Sequence, residues 1–210
     1  MKKYLKKGFT LIELIVVVSV IAILMSMVVP ATQKVMLNSR KSKAQSYMKQ
    51  IATAYCSYYN ENGYIPSASS SMELAEKFAQ EGYMNNANLL VYPGDSSAPE
   101  VLQENIYPIE SGSHAWASGK QLSVVLVGGI TKSVNTSTTP IAYTRGYSDP
   151  KWSTSAPFGT EGGFVAFLDG TVRWYSDTTD KLSVGKDTTG SLKTAIEGAG
   201  GASLDTGTGN

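Results

Sequence analysis

The chain has 210 residues, of which 42% are hydrophobic, and its formal net charge is +1. This length provides for one anchoring segment and one modest folded domain, and it excludes a large two-domain enzyme. Because 18 basic residues are balanced by 17 acidic ones, the chain lacks the cationic excess for general nucleic-acid binding, and we expect no nucleic-acid partner.

The N-terminus begins with a basic segment that leads into a long apolar one. Four lysines lie within residues 1–8, and no charged residue lies between Glu13 and Lys34. At the helical rise of about 1.5 Å per residue, this uncharged stretch is long enough to cross a bilayer. Positive residues before the span favour a cytoplasmic leader and an exported remainder. We therefore predict a single-pass membrane protein.

One carboxylate interrupts the apolar segment. Glu13 is the fifth residue when counting starts at Phe9, and an uncompensated charge at that place is costly in lipid, so Glu13 requires a partner. An ordinary secretory signal, cleaved near Ala31, is the alternative interpretation of this segment. The apolar run is longer than such signals usually are, which favours a retained helix.

Residues 8–24, GFTLIELIVVVSVIAIL, resemble the processing motif of type IV prepilins and type II secretion pseudopilins. The resemblance covers the leader and the first half of the long helix. It implies that a prepilin peptidase cuts between Gly8 and Phe9 and methylates the new amino terminus. It also implies that Glu13 pairs with the Phe9 amine of a neighbouring subunit, which agrees with the need of a buried carboxylate for a partner.

The same resemblance implies the partners and the location. The partners are further copies of the chain, other pilin-like subunits, the prepilin peptidase, an inner-membrane assembly platform and the membrane. The protein is expected in the inner membrane with a cytoplasmic N-terminus and a periplasmic C-terminal domain, and then in a filament in the periplasm or at the cell surface.

The helix is expected to continue beyond the membrane. Pro30 either kinks or melts the helix over residues 25–30 or marks the end of the span. Apolar residues then recur at steps of three and four, which predicts an amphipathic helix packed on a sheet. This stripe consists of Ala44, Met48, Ile51, Tyr55 and Tyr58. Gly63 and Pro66 are expected to end the helix.

Cys56 is the single cysteine of the chain, so no intramolecular disulfide can form. We interpret Cys56 as an inert thiol beside the apolar stripe.

The exported part is predicted to be a small α+β domain. We expect a short helix capped at Ser71, a brief strand over residues 88–92, strands over 121–127 and 140–144, and a hairpin over 162–175. A two-residue turn at Asp169-Gly170 would pair Leu168 with Thr171, Phe167 with Val172 and Val165 with Trp174. Val165, Phe167, Val172 and Trp174 would then form one apolar face against the helix.

The fold class predicted from these elements is α+β, with a long N-terminal helix on a small antiparallel sheet, the lollipop shape of pilins. The predicted segments are a leader (1–8), a transmembrane and filament-core helix (9–33), its amphipathic continuation (34–62), the exported domain (63–178) and a flexible tail rich in Gly, Thr and Ser (179–210). Apart from a short helix over 191–197, the tail is not expected to bury enough apolar surface to order itself. Residues 144–175 also resemble the C-terminal block of pseudopilin-like proteins, in which a glycine pair precedes an FLDG-type hairpin.

No catalytic constellation is evident. His114, the single histidine, lies in SGSHAWA, which is neither a nucleophile elbow nor a two-histidine zinc motif, so we predict that the chain is not an enzyme. No cofactor is expected, except that Asp177 and Asp180 are weak candidate ligands for calcium. The resemblance to major pseudopilins, which bind calcium in their C-terminal region, supports this candidate, whereas a solvated turn is the alternative.

The function predicted is that of a structural filament subunit, with a secretion pseudopilin favoured over a true pilus subunit by the C-terminal resemblance. The alternative is a membrane-tethered, lectin-like binding protein that retains its leader and tolerates changes at Glu13. A third interpretation, a secreted hydrolase cleaved near Ala31, requires an activity that depends on His114.

Overall fold

A computed structural model describes residues 9–99, 104–107, 120–131, 133–183 and 189–204. Gly8 and His114 lie outside the described residues. The chain forms two compact units, Met1–Lys41 and Ser42–Asn210. The architecture is α+β, as predicted, because a long helix is followed by a small antiparallel sheet.

Helix α1 spans Leu11–Asn62 and is 52 residues long. Its backbone stays helical through Pro30, so the predicted melting at this residue is not present. The helix ends where predicted, since Gly63 adopts a φ of 77° and its N–H donates to the Tyr59 carbonyl at 2.7 Å. A glycine with positive φ just past the last turn is a common way to end a helix.

The C-terminal half of α1 packs within the unit Ser42–Asn210. Its apolar stripe is confirmed, because each of the five predicted residues is at most 3% exposed. The Tyr55 hydroxyl donates to the Val127 carbonyl of the sheet at 3.0 Å. The rings of Tyr55 and Tyr58 lie 4.8 and 5.0 Å from that of Phe78 on the next helix. The stripe therefore joins α1 to both the sheet and the second helix.

Helix α2 spans Ser71–Gln80, and its cap lies one residue before the predicted one. The Glu73 N–H donates to the Ser70 hydroxyl at 3.2 Å, which makes Ser70 the N-cap. Ser71 is buried instead, and its hydroxyl accepts from the Leu126 N–H at 3.1 Å. Because Ser71 bonds to the sheet, it is not available to cap the helix.

Residues 88–92 do not form the predicted strand. Ala87–Leu90 is a short 3-10 helix, and Asn86 begins it by accepting a hydrogen bond from the Asn88 N–H at 2.9 Å. Asparagine often starts such a turn in this way. The apolar run was correctly expected to be buried, since Leu89 and Leu90 are at most 5% exposed, but its backbone conformation was predicted wrongly.

The remaining elements follow in chain order. They are β1 (Val124–Gly128), β2 (Pro140–Thr144), β3 (Tyr147–Ser148), β4 (Lys151–Trp152), a 3-10 turn (Gly159–Glu161), β5 (Gly163–Phe167), β6 (Val172–Tyr175), β7 (Leu182–Ser183), β8 (Thr189–Gly190), α3 (Leu192–Gly198) and β9 (Ala202–Ser203). The main sheet has the order β6-β5-β2-β1-β9, while β3 pairs with β4 and β7 with β8. The ladders of the main sheet are antiparallel.

The β5–β6 hairpin is present, but its predicted register was wrong by one residue. Val165 pairs with Arg173 and not with Trp174, and the loop contains three residues, 168–170. The Gly170 N–H donates to the Phe167 carbonyl at 3.0 Å, and the φ of Gly170 is 85°. This is a type I turn followed by a bulge. The Leu168 N–H does not pair with Thr171 as predicted but donates to the Thr139 carbonyl, just before β2, at 3.0 Å.

The register shift changes which side chains share a face. Residues directly opposite each other lie on the same side of a sheet, so Trp174 shares its face with Phe164, and their ring centroids lie 4.9 Å apart. Arg173 lies on the opposite face, with its guanidinium 5.2 Å from the centre of the Phe167 ring. The predicted single face of four apolar residues was therefore wrong, because a shift of one residue reverses every side chain.

The tail predicted to be flexible is ordered over residues 189–204. Helix α3 is the short helix expected there, and its residues Leu192 and Ile196 are at most 3% exposed. Strand β9 pairs with β1, and the Leu204 N–H donates to the Leu126 carbonyl at 3.0 Å. The composition of the tail predicted too little apolar surface for an ordered structure. The segment is nevertheless ordered, because α3 buries Leu192, Ala195 and Ile196 at helical spacing and β9 adds a strand to the edge of the main sheet.

The glycine pair before the hairpin gives the first testable prediction. Gly162 has a φ of 132°, and a Cβ placed on it would lie 2.2 Å from the Tyr175 carbonyl oxygen. Gly170 has a φ of 85°, but its Cβ would meet no atom within 4 Å. We expect Gly162→Ala to lower the free energy of unfolding by about 2–3 kcal/mol, and Gly170→Ala by about 1 kcal/mol. Thermal melts of both variants check this, and equal losses would contradict the importance of the close approach.

Candidate functional site

The first half of α1 carries a continuous apolar surface. Large apolar side chains from Phe9 to Val29 are 46–85% exposed, on all sides of the helix. The helix is long and apolar enough to cross a membrane. A helix that is apolar on every side requires lipid or other apolar helices around it. This surface is therefore a candidate for membrane insertion and for packing between subunits.

The carboxylate of Glu13 is held by Thr10 at the start of α1. Its Oε2 accepts from the Thr10 N–H at 2.8 Å and from the Thr10 hydroxyl at 2.7 Å. The Glu13 N–H in turn donates to the Thr10 hydroxyl at 3.3 Å. This reciprocal arrangement is a capping box, in which the first residue and the fourth satisfy each other's donors. Among the described residues, no donor reaches the other oxygen, Oε1, so Oε1 is the atom open to a further cation.

Thr10 is a site residue that the sequence analysis missed. The signal for it was present, because a threonine three residues before a glutamate at the start of an apolar run is typical of a capping box. Phe9, which precedes Thr10, is 85% exposed. Phe9, Thr10 and Glu13 thus lie together within the first turn, while the position of Gly8 is outside the described residues.

The two candidate calcium ligands lie after β6. The Asp177 Oδ1 accepts from both the N–H and the hydroxyl of Thr179 at 2.7 Å, and these hydrogen bonds lower the pKa of the Asp177 carboxyl. The Lys151 ammonium lies 3.8 Å from Oδ2. In the part of the chain that the structure describes, no three His, Cys, Asp or Glu side chains come together as a metal cluster.

Calcium binding by Asp177 and Asp180 remains a prediction. If these residues are ligands, about 5 mM calcium chloride will raise the melting temperature of the parent protein, since affinities of exported calcium sites commonly lie near 10⁻⁴–10⁻³ M. The same addition will not affect an Asp177→Ala, Asp180→Ala variant. A parent protein that does not respond would end this hypothesis.

Cys56 is half-buried on α1, and the Asn60 amide lies 3.5 Å from its sulfur. Its interpretation as an inert thiol remains a prediction, and any role of His114 falls outside the described residues.

Comparisons with known proteins also concern the N-terminal segment. Residues 4–29 match a family model described as the prokaryotic N-terminal methylation motif. The chain is 30% identical over 115 residues to the type II secretion system core protein G of Escherichia coli, a match that covers 46% of this chain and 79% of that protein. The chain belongs to the type IV pilin-like family.

Further relatives of this pilin-like chain are proteins of pili. It is 26% identical over 129 residues to the type IV major pilin protein PilE of Neisseria gonorrhoeae, covering 57% of this chain and 77% of that one. It is 32% identical over 126 residues to a fimbrial protein of Neisseria meningitidis, covering 55% and 74%. No solved structure matched the chain. The relatives thus support a structural subunit of a filament.

Proposed function

We propose that this pilin-like chain is a structural subunit of a type II secretion pseudopilus or a type IV pilus-like filament. A prepilin peptidase cuts after Gly8 and methylates the Phe9 amine, and the subunit then assembles through the first half of α1. The proposed role is mechanical and not enzymatic.

The exposed apolar surface of α1 is the observation that carries this proposal. Its large side chains are 46–85% exposed in the single chain, which is a cost unless lipid or other helices cover them. Helices that associate out of lipid do so by van der Waals packing and by polar contacts. A membrane-inserted subunit that moves into a helical filament core keeps this surface covered in both places.

Glu13 is proposed to set the register between subunits. Because the hydrogen bonds from Thr10 go only to Oε2, Oε1 would be the atom that accepts the Phe9 amine of a neighbouring subunit. This amine exists only after cleavage, since in the precursor the Phe9 nitrogen belongs to a peptide bond. Cleavage would thus create the cation that the carboxylate requires, which couples processing to assembly.

The charge of the leader supports a topology. Residues 1–8 carry four lysines, so we propose that the N-terminus lies in the cytoplasm and the unit Ser42–Asn210 in the periplasm. The assembly platform of the inner membrane would then receive the processed subunit from the bilayer.

Processing is tested by the intact mass and the N-terminal sequence of the protein from membranes and from sheared surface material of its own host. We expect a chain that begins at N-methylated Phe9. A chain that retains Met1 would overturn the proposal in favour of a tethered binding protein, and a chain that begins beyond Ala31 would indicate a secreted protein. A strain without prepilin peptidase is the control, and it should yield only the full-length precursor.

A further inference from the structure

A groove in the unit Ser42–Asn210 has no part in the assembly proposed above. It has a volume of about 530 Å³ and lies between α3, β9 and the segment where β2 leads into β3. Its polar lining consists of Tyr143, Tyr147, Asp149, Lys193, Glu197 and Ser203. This volume is within the range of about 300–1,000 Å³ that is usual for small-molecule sites.

An aromatic platform forms one wall of the groove. The Tyr147 ring stands edge-on to Tyr143, at a centroid distance of 5.9 Å, and to Trp152, at 5.1 Å. The Tyr147 hydroxyl bonds to the Asp149 carboxylate at 2.8 Å and to the Thr178 hydroxyl at 2.6 Å. Packing therefore fixes the ring at its sides and hydrogen bonds fix it at its tip. A platform that is already ordered loses little entropy when a ligand binds.

The Asp149 carboxylate is fixed beside this platform. Its Oδ1 accepts from the Tyr147 hydroxyl and its Oδ2 from the Ser191 hydroxyl at 3.0 Å. Each carboxylate oxygen can accept two hydrogen bonds, so both retain one lone pair for a donor on a ligand. Asp149 is itself exposed, so a ligand can reach it from solvent.

The charges around the groove disfavour an anionic ligand. Lys193 and Glu197 lie one turn apart on α3, with their charged atoms 4.0 Å from each other. The charges of Lys193 and Glu197 cancel, so the Asp149 carboxylate gives the lining of the groove a net negative charge. A phosphate or carboxylate would be repelled, whereas neutral hydroxyl groups find acceptors in Asp149 and Glu197 and a donor in Lys193.

We propose that this groove binds a neutral saccharide unit, with the apolar face of its ring against Tyr147 and Tyr143 and its hydroxyl groups donating to Asp149. A pyranose ring matches both walls, because one face presents C–H groups and the edge presents hydroxyl donors. Tyrosine suits such a ligand, since its ring is apolar while its hydroxyl remains polar. The subunit would thus carry a weak glycan contact on its exported part, repeated along a filament.

The test uses the full chain in a detergent without a sugar headgroup, such as a phosphocholine detergent. Saturation-transfer NMR with the methyl glycosides of glucose, galactose, mannose and N-acetylglucosamine would detect binding of each. We expect at least one to bind, with a Kd of about 1–10 mM, a range typical of a small ligand held by few contacts. Asp149→Asn keeps the shape of the side chain and should weaken that binding at least about fivefold.

Matched controls separate the groove from the rest of the surface. Glu104→Gln removes a carboxylate outside the groove and should leave the Kd unchanged, as should Tyr107→Leu, whereas Tyr147→Leu should abolish the signal. Circular dichroism would verify that each variant is folded. No binding of any glycoside at about 50 mM, or binding that Asp149→Asn leaves unchanged, would overturn the inference. Lysine methyl ester tests whether the groove prefers a cation, and tighter binding of this compound than of every glycoside would also overturn the inference. Glycoside binding needs neither cleavage nor assembly, so failure here leaves the filament proposal intact.

Discussion

Glu13→Ala is expected to abolish filament assembly while leaving cleavage after Gly8 intact. The proposed cleavage site, after Gly8, precedes Glu13 in the chain, and alanine keeps the helix, so processing should continue. Assembly should fail because the Phe9 amine of each incoming subunit would enter the filament core without a partner. Breaking one half of a buried ion pair commonly costs about 3–5 kcal/mol, which corresponds to a loss of at least about a hundredfold in sheared filament.

The measurement compares the mature protein in membrane and sheared fractions of the parent and variant strains. Glu13→Gln is the matched variant, since glutamine has nearly the same shape and can still bond to Thr10. If charge decides assembly, Glu13→Gln fails as Glu13→Ala does. Normal filaments from either variant would show that the carboxylate does not hold the register.

Thr10 offers an intermediate case within the same prediction. Its hydroxyl donates to the Glu13 Oε2 at 2.7 Å, so Thr10→Val should remove this hydrogen bond while the one from the Thr10 N–H, at 2.8 Å, remains. The loss of one hydrogen bond to a charged group predicts a reduction of about tenfold in filament yield. Thr10→Ser retains the hydroxyl and should restore assembly, whereas failure of both variants would point to a different role for Thr10.

Arg145→Met is expected to lower the free energy of unfolding by about 4 kcal/mol, the largest effect we predict within the unit Ser42–Asn210. The Arg145 and Asp95 side chains are only 5% and 4% exposed, and an Arg145 Nη2 contacts both Asp95 oxygens at 3.0 and 2.9 Å. Its Nη1 donates to the Ser155 carbonyl at 2.8 Å. Removing the guanidinium leaves a buried carboxylate without its counterion.

The neighbouring contacts show why this carboxylate cannot simply turn to water. The Asp95 Oδ2 also accepts from the Ser123 hydroxyl at 2.7 Å, and the Tyr92 N–H donates to that hydroxyl at 2.9 Å. Asp95 is thus held in place by the loop and by the residue before β1. For a domain of this size, about 4 kcal/mol corresponds to a fall of roughly 10 °C in melting temperature.

An exposed ion pair provides the control. Lys77 lies 2.8 Å from Glu73 on α2, with side chains 37% and 41% exposed, so Lys77→Met should cost less than about 1 kcal/mol. The double variant Asp95→Asn, Arg145→Met should lose less stability than the sum of its single variants, because each single change leaves the other polar group buried. Additive losses, or an Arg145 effect as small as that of Lys77, would contradict the buried pair.

The sequence determined the elements whose signals are local. The apolar run after the leader, the Glu13 position and the stripe from Ala44 to Tyr58 each follow from spacing along one helix, and so did the stop at Gly63. Strand β2 occupies the predicted residues 140–144, because five β-prone residues between turn signals have few alternatives. The capping box at Thr10 was equally local and could have been predicted.

The tertiary structure decided the features that depend on partners far along the chain. The Leu168 N–H bonds to Thr139, which adds a residue to the hairpin loop and reverses the face of Trp174. Residues 189–204 are ordered because α3 buries Leu192 and β9 pairs with β1, although their own composition indicated a flexible tail. Asp95 and Arg145 meet across 50 residues, and no local pattern announces such a pair. Periodicity reports which side of an element is buried, whereas register, order in a tail and buried charge pairs are set by contacts that exist only once the chain has folded.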